Sequence, residues 1–186
     1  MNAFDFDQTI FDGDSTARFY AYCFRKVPAL WPTIPAQLGN AILFALKVRK
    51  KQAFKERMYR FLTRLPDVDA LLESFWDENI GRVMPWYKQM QREDDVIISA
   101  SPEFLLEPAM RRIGIRHMMA SRVDKHTGAY TGLNCHGEEK VVRFRAVFPD
   151  AHIEQFYSDS LSDTPMALLA DEAFLVKNPT VAKWPK

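Results

Sequence analysis

Hydrophobic and polar positions divide the chain into three textures. Residues 1–11 hold a very short apolar start, Ala3, Phe4 and Phe6, interrupted by aspartates. From about 15 to 92 the apolar positions recur at helical spacing. Ile34, Leu38, Ile42 and Ala45 form one run, Phe54, Met58, Phe61, Leu62 and Leu65 a second, and Val68, Leu71, Leu72, Phe75 and Trp76 a third. Pro28, Pro32, Pro35 and Pro66 punctuate these runs and predict their ends. From about 93 to 186 the pattern alternates. "DDVIIS" predicts a short buried strand, "PEFLLEPAMRRIGI" a helix with Pro102 in its first turn, and "TGAYTG" (127–132) a hairpin. "GEEKVVRFRAVF" predicts a helix, "IEQFYSD" a strand, "TPMALLA" a helix and "AFLV" a last strand.

Strands alternating with helices predict an α/β layer with a mostly parallel sheet. Residues 1–14 and 93–186 form its core domain, and residues 15–92 read as a helical insertion after the first strand. In open α/β sheets the chemistry lies beyond the carboxyl ends of the strands. Polar residues stand at three such ends: Asp5 and Asp7, then Ser99, then Asp159 and Asp163. Lys140 starts a helix between the last two.

Composition adds bounds rather than direction. The 186 residues suffice for one domain carrying an insertion, and 47% hydrophobic with 26% charged residues is ordinary for a globular chain. A net charge of +1 makes any electrostatic argument a local one. Cys23 and Cys135 have no metal-ligand spacing, and the acidic N-terminus does not read as a secretory signal, so the expectation is a cytoplasmic protein with reduced thiols. "AILFALKV" (41–48) falls far short of the roughly 20 apolar residues of a spanning helix.

The local charge is concentrated at the start, where Asp5, Asp7, Asp12 and Asp14 crowd together. An EF-hand counted from Asp5 would need Gly at its sixth position and Glu at its twelfth, where Ile10 and Thr16 stand. That reading fails. Asp12 and Asp14 fit a turn followed by a helix cap. Asp5 and Asp7 flank a buried-type Phe6 after a strand, which a turn explains less well. Carboxylates about 4 Å apart repel by roughly 4 kcal/mol at an effective dielectric near 20, so gathering Asp5, Asp159 and Asp163 demands a cation.

Four segments together resemble the motifs of the haloacid dehalogenase superfamily of phosphohydrolases. "DFDQT" resembles the first motif (D-x-D-x-T), "VIISAS" the second, "HGEEK" the third and "YSDSLSD" the fourth, in the family's order and on the expected strand ends. Gln8 stands where many members carry Gly. The resemblance spans nearly the whole chain, and "SASPEF" with the helical insertion looks most like the phosphoserine phosphatase branch. That branch also holds phosphatidylglycerophosphatase-like and phosphocholine phosphatase-like enzymes. The implied fold is a Rossmann-type, mostly parallel sheet flanked by helices, with residues 15–92 as a helical cap.

The resemblance also implies roles. Asp5 is the expected nucleophile and a ligand of Mg²⁺. Asp7 is the expected acid and base, and its carbonyl also binds the metal. Thr9 is expected to hold Asp7 in place, Ser99 to donate to a phosphoryl oxygen, and Lys140 to neutralise Asp5 and the transferring group. Asp159 is expected to bind Mg²⁺ directly, and Asp163 to act through water or by orienting Lys140. Each has a plainer alternative: Ser99 could satisfy a neighbouring backbone, Lys140 could be a solvated helix lysine, and Asp163 could cap a helix. Ser101 reads first as an N-cap before Pro102 and second as a phosphate ligand. Asp14 and Arg57 are the corresponding candidates for holding charged groups of the substrate.

Between Lys47 and Arg64 stand eight basic residues, Lys47, Arg49, Lys50, Lys51, Lys55, Arg57, Arg60 and Arg64, against one acid, Glu56. They form a solvated helix face, line the cleft for an anionic substrate, or rest with Trp31 and "AILFALKV" on an anionic membrane. No nucleic-acid module is recognisable. The expected function is hydrolysis of a phosphorylated small molecule or phospholipid-derived substrate. Its rivals are phosphotransfer, a lipid head-group phosphatase at a membrane surface, and a non-catalytic scaffold that binds a phosphorylated ligand.

Overall fold

The computed structural model describes residues 1–48, 50–178 and 180–185. Its centre is a six-stranded sheet, with β1 (Ala3–Phe4), β2 (Val96–Pro102), β3 (His117–Ser121), β4 (Ile153–Ser158), β5 (Ala170–Lys177) and β6 (Thr180–Lys183) in the order β3-β2-β1-β4-β5-β6. All pairs are parallel except β5 with β6. The two-residue β1 is the central strand: Phe4 is in register with Ile97 on one side and Tyr157 on the other. A strand this short persists because both neighbours pair with it and both of its side chains are fully buried.

Successive residues point to opposite faces, and each face has its own core. Phe4, Ile97 and Tyr157 face one way, and Ala3, Val96, Ile98 and Phe156 the other. Against the second face pack α7 (Glu138–Val147) and α8 (Thr164–Ala167), through Phe144, Met166 and Ala167. Against the first lie α6 (Glu103–Ile113) and part of the insertion, which comprises α1 (Ser15–Lys26), α2 (Ile34–Ala45), α3 (Lys51–Tyr59), α4 (Val68–Asn79) and α5 (Pro85–Met90), joined by 3-10 turns. The insertion is helical, as its periodicity predicts, but it is not walled off from the sheet. Phe6 and Phe11 stack and Trp76 meets both edge-on, Trp76 donates its indole N–H to the Leu105 carbonyl (2.6 Å), and one hydrophobic cluster runs from β1 through α1 and α4 into α6. Within the insertion, α2 contributes no apolar residue to that cluster, whereas Leu30 before it and Tyr59, Phe61 and Leu62 after it do.

Several expectations need correction. The turn expected at 127–132 is present as a minimal hairpin that starts earlier in the chain: Val123 bridges Tyr130 antiparallel, with Asp124 N–H donating to the Ala129 carbonyl (2.8 Å) and Thr131 N–H to the Arg122 carbonyl (3.0 Å), and the Asp124 carboxylate closes its turn by accepting from the N–H groups of His126 and Thr127 and the Thr127 hydroxyl. Pro102 ends β2 and caps α6 instead of sitting in its first turn. "TPMALLA" is helical only to Ala167, and β5 begins at Ala170, three residues before the predicted strand. β3 and β6 carry no strand signal of their own and arise from pairing with β2 and β5. Cys23 and Cys135 are buried free thiols, and burial pushes them up to about 12 and about 11. No helix among the described residues is long and apolar enough to cross a membrane.

Candidate active site

The Asp5 N–H donates to the Tyr157 carbonyl (2.8 Å), which continues the β1–β4 ladder by one residue and fixes Asp5 at the carboxyl edge of the sheet. The chain then turns sharply. The N–H groups of Thr9, Ile10 and Phe11 converge on the Phe6 carbonyl at 3.3, 3.1 and 3.0 Å, while Gln8 takes a left-handed φ of 56° and donates its N–H to the Gly13 carbonyl. Glycine adopts that conformation without strain, which is a physical reason for a glycine at this position. The turn brings Asp7 to the same cavity as Asp5.

Lys140 joins the third and fourth motifs to the first. It sits in the first turn of α7, which begins after Gly137 (φ 61°), and its Nζ donates to Asp5 Oδ1 (2.8 Å) and Asp163 Oδ2 (2.6 Å). Ser158, at the end of β4, donates its hydroxyl to the same Asp163 oxygen (2.7 Å). Lys140 and Asp163 are almost fully buried, and Asp5 nearly so. Burial alone would depress the ammonium, yet the two carboxylates outweigh it and hold Lys140 charged, well above the ordinary lysine range. One ammonium shared by two acids leaves a net negative charge, and burial drives the Asp5 carboxyl well above the usual aspartate range despite Lys140. Asp163 stands just before α8 but makes no side-chain cap bond; its carboxylate accepts from Lys140 and Ser158 instead.

Asp7 is held from two sides. Its Oδ1 accepts the Ser15 N–H (2.7 Å) and its Oδ2 accepts the Ser101 hydroxyl (2.5 Å). Because the Ser101 proton is committed to Asp7, the 3.0 Å contact between Thr16 Oγ1 and Ser101 Oγ has Thr16 as donor. Burial and the neighbouring Asp14 push Asp7 up to about 6, against the pull of Ser101 and Ser15. Ser101 is therefore not the N-cap of α6 that its position before Pro102 predicts; no side chain caps that helix, and Ser101 braces Asp7. Ser99 is buried, and its Oγ accepts the Ser101 N–H (3.1 Å), which leaves its hydroxyl proton for another acceptor.

Asp5, Asp7, Asp14, Ser99, Ser101, Lys140, Asp159 and Asp163 all line one cavity of about 350 Å³. Asp14 both lines it and caps α1, accepting the Ala17 N–H. Two expected residues do not join them. Thr9 is fully buried, and its hydroxyl accepts the Asp159 N–H (3.0 Å), so it positions the Asp159 loop instead of holding Asp7 or touching substrate. Arg57 lies along a different cavity with Arg60 and Arg64, because α3 turns the adjacent Lys55 and Met58 toward the site. Lys55 of α3, whose Nζ donates to the Ala100 carbonyl (3.0 Å) and Asn134 Oδ1 (3.2 Å), brings a second ammonium to the cavity beside Lys140. Lys55, Thr16, His136 and Ser158 were not singled out by the motifs, although Ser158 and His136 stand beside or within two of them. Arg49 lies outside the described residues, as does the side chain of Lys51.

Among the described residues, no three acidic, histidine or cysteine side chains enclose a metal by themselves. Five carboxyl groups, Asp5, Asp7, Asp14, Asp159 and Asp163, line the cavity with the two ammonium groups of Lys55 and Lys140, an oxygen donor set of the kind a hard divalent cation takes.

Comparison with known proteins follows the same lines. Protein CicA of Caulobacter vibrioides is 36% identical over 83 residues, covering 41% of this chain and 37% of that protein. A probable phosphatase of Mycobacterium tuberculosis is 35% identical over 107 residues, covering 50% of this chain and 37% of that protein. The match thus reaches well under half the length of either relative. Among solved structures, a protein of unknown function from Bordetella pertussis Tohama I shares the fold with a TM-score of 0.77 at 21% identity, covering 93% of this chain and 87% of that one. A phosphoserine phosphohydrolase-like protein from Francisella tularensis shares it at 0.57 and 15% identity, covering 93% and 86%. Residues 3–168 match the haloacid dehalogenase-like hydrolases, a span that runs from the first residue of β1 past Asp163 and takes in every group at the cavity. The chain belongs to that family.

Proposed function

We propose that the chain is a Mg²⁺-dependent phosphomonoester hydrolase working through an aspartyl-phosphate on Asp5. The observation that carries this reading is the geometry around two neighbouring acids: Asp5 is tied to Lys140 and Asp163, while Asp7, across the same cavity, is tied to Ser101 and Ser15. Two carboxylates so close in sequence are thereby given different partners and different tasks. The phosphatase description of the Mycobacterium tuberculosis relative supports the same reaction class.

Asp5, the Asp7 carbonyl and Asp159 would hold Mg²⁺, which supplies positive charge against the anionic phosphoryl group when bound. A carboxylate oxygen of Asp5 attacks phosphorus, and the ester P–O bond breaks as the new O–P bond forms. Asp7 gives its proton to the leaving alkoxide. As a carboxylate, Asp7 then takes a proton from water. The water oxygen bonds to phosphorus, phosphate departs and Asp5 is restored. Lys140 and the Ser99 hydroxyl stabilise the phosphoryl oxygens through both steps. Ser101, with Thr16 behind it, aims the Asp7 carboxyl.

The cavity volume suits a small phosphorylated group, and Asp14, Lys55 and His136 at its wall are the residues to discriminate among substrates. The reading is tested by hydrolysis of an aryl phosphate with Mg²⁺ or EDTA, followed by a panel of phosphoserine, phosphocholine, sugar phosphates and phosphatidylglycerophosphate. Metal-dependent turnover that falls at least 1,000-fold, roughly, in Asp5→Asn is the expected result. Silence across the panel would shift the assignment to a phosphate-binding scaffold, and transfer to an alcohol in place of water would make it a phosphotransferase.

A further inference from the structure

Helix α2 is built inside out. Ile34, Leu38 and Ile42, four residues apart on one side, are exposed, while the side turned inward carries the buried Asn40 and the half-buried Gln37. Asn40 donates its amide to the Phe54 carbonyl (3.0 Å) and Gln37 to the Met58 carbonyl (3.3 Å), so polar bonds hold α2 to α3, with the Phe44–Phe54 stack as an apolar contact at one end. Leu38 is 59% exposed and Ile42 55%. Trp31 before the helix (59%) and Leu46 and Val48 after it (66% and 73%) extend the apolar surface beyond both ends. Scattered exposed apolar residues are normal; a helix that turns Asn40, Gln37 and only Leu43 of its aliphatic residues inward, and Ile34, Leu38 and Ile42 outward, is not.

Positive charge borders the same helix. A cavity of about 280 Å³ lies between Ala36 and Gln37 of α2 and the side chains of Arg57, Arg60 and Arg64. None of these three arginines, nor Lys47 or Lys50 at the turn between the helices, pairs with an acid among the described residues.

We infer that α2 and the arginine groove beside it dock this protein on an anionic phospholipid bilayer. The aliphatic side chains enter the interface between headgroups and acyl chains, Trp31 sits at the headgroup level, and Arg57, Arg60 and Arg64 meet lipid phosphates. A second copy seated on the same face would bring the two sets of unpaired cations together. A purely apolar partner would leave them unmatched. An anionic bilayer answers both the apolar face and the charge. Helix α3 turns Lys55 and Met58 into the catalytic cavity and Arg57 into the groove, so the element touching lipid also forms a wall of the catalytic cavity. The inference stands apart from the phosphatase reading and fails or holds independently of it.

Co-sedimentation with vesicles of phosphatidylcholine alone, and of phosphatidylcholine with phosphatidylglycerol, provides the test. The full chain is compared with Leu38→Ser/Ile42→Ser and with Arg57→Gln/Arg60→Gln/Arg64→Gln, all exposed positions, and thermal unfolding confirms that each variant is folded. The expected result is binding to the mixed vesicles only, released by high salt and weakened about tenfold or more in each variant. No binding to mixed vesicles, or equal binding by both variants and the native chain, overturns the inference. So does a dimer in light scattering that Leu38→Ser/Ile42→Ser dissolves while vesicles capture nothing, since that assigns the face to a second copy.

Discussion

Asp7 shows how one residue carries both a functional requirement and a stability penalty. Its carboxyl is pushed from 3.8 up to about 6, chiefly by burial, even though Ser101 and Ser15 donate to it. The folded state therefore holds the Asp7 proton more tightly than the unfolded chain does. Below about pH 3 the group is neutral in both states and the penalty is absent; it appears as pH rises through the unfolded value of 3.8 and is complete above about 7. Asp7→Asn removes the charge while keeping groups able to meet Ser15 and Ser101. In EDTA it should raise stability by about 1–2 kcal/mol at pH 7.5, or a few degrees in Tm, and by nothing measurable near pH 3. Denaturation curves at the two pH values check this, while activity should be lost at both. The sequence made Asp5, Asp7 and Lys140 legible because strand ends and motif order constrain them. Ser101 and Thr16 were not, because their partner is set by how the chain after Asp7 folds back, and a serine before a proline equally well signals a cap.

At the scale of elements, Gly128 ties the loop after β3 to the end of α3. It has φ 76°, and a Cβ there would stand 2.6 Å from both the Cβ and the carbonyl oxygen of Tyr59, the buried last residue of α3. A backbone atom cannot move aside as a side-chain tip can. Gly128→Ala should cost about 2–4 kcal/mol, from the left-handed conformation and the contact together. Gly114 shares the left-handed φ but opens on empty space, so Gly114→Ala should cost only about 1 kcal/mol. Thermal melts of the two variants side by side test whether the 124–131 loop locks the end of α3. In the same loop the turn residues of "TGAYTG" signal the fold-back correctly, but the strand partner, Arg122 to Asp124, was not legible because the Asp124 turn sets it. In α2 the spacing of Ile34, Leu38 and Ile42 predicted a helix correctly and was silent about which side faces in, since Asn40 and Gln37 find backbone partners only in the folded chain. "HMMAS" (117–121) lacks the β-branched residues of a strand and becomes one only alongside β2.

For the molecule as a whole, the sheet order explains why motifs far apart in sequence meet. With β1 in the middle, Asp5 has the end of β2 on one side and that of β4 on the other, and the register between β2 and β3 breaks between Ile98 and Pro102, around Ser99. α7 delivers Lys140 from beyond that edge. The alternation of strands and helices in the third zone made this architecture legible before any coordinates, whereas the continuity of core between sheet and insertion was not, because helical periodicity does not say what a helix packs against. The central claim is that Asp5 is the group that takes the phosphoryl. Its most direct test is acid quenching during turnover of an aryl phosphate with Mg²⁺, followed by mass spectrometry of the N-terminal peptide. A phosphoryl group on Asp5, absent in Asp5→Asn, is the predicted result. Steady turnover with no phosphorylated Asp5, retained when Asp5 becomes Asn, would contradict the account.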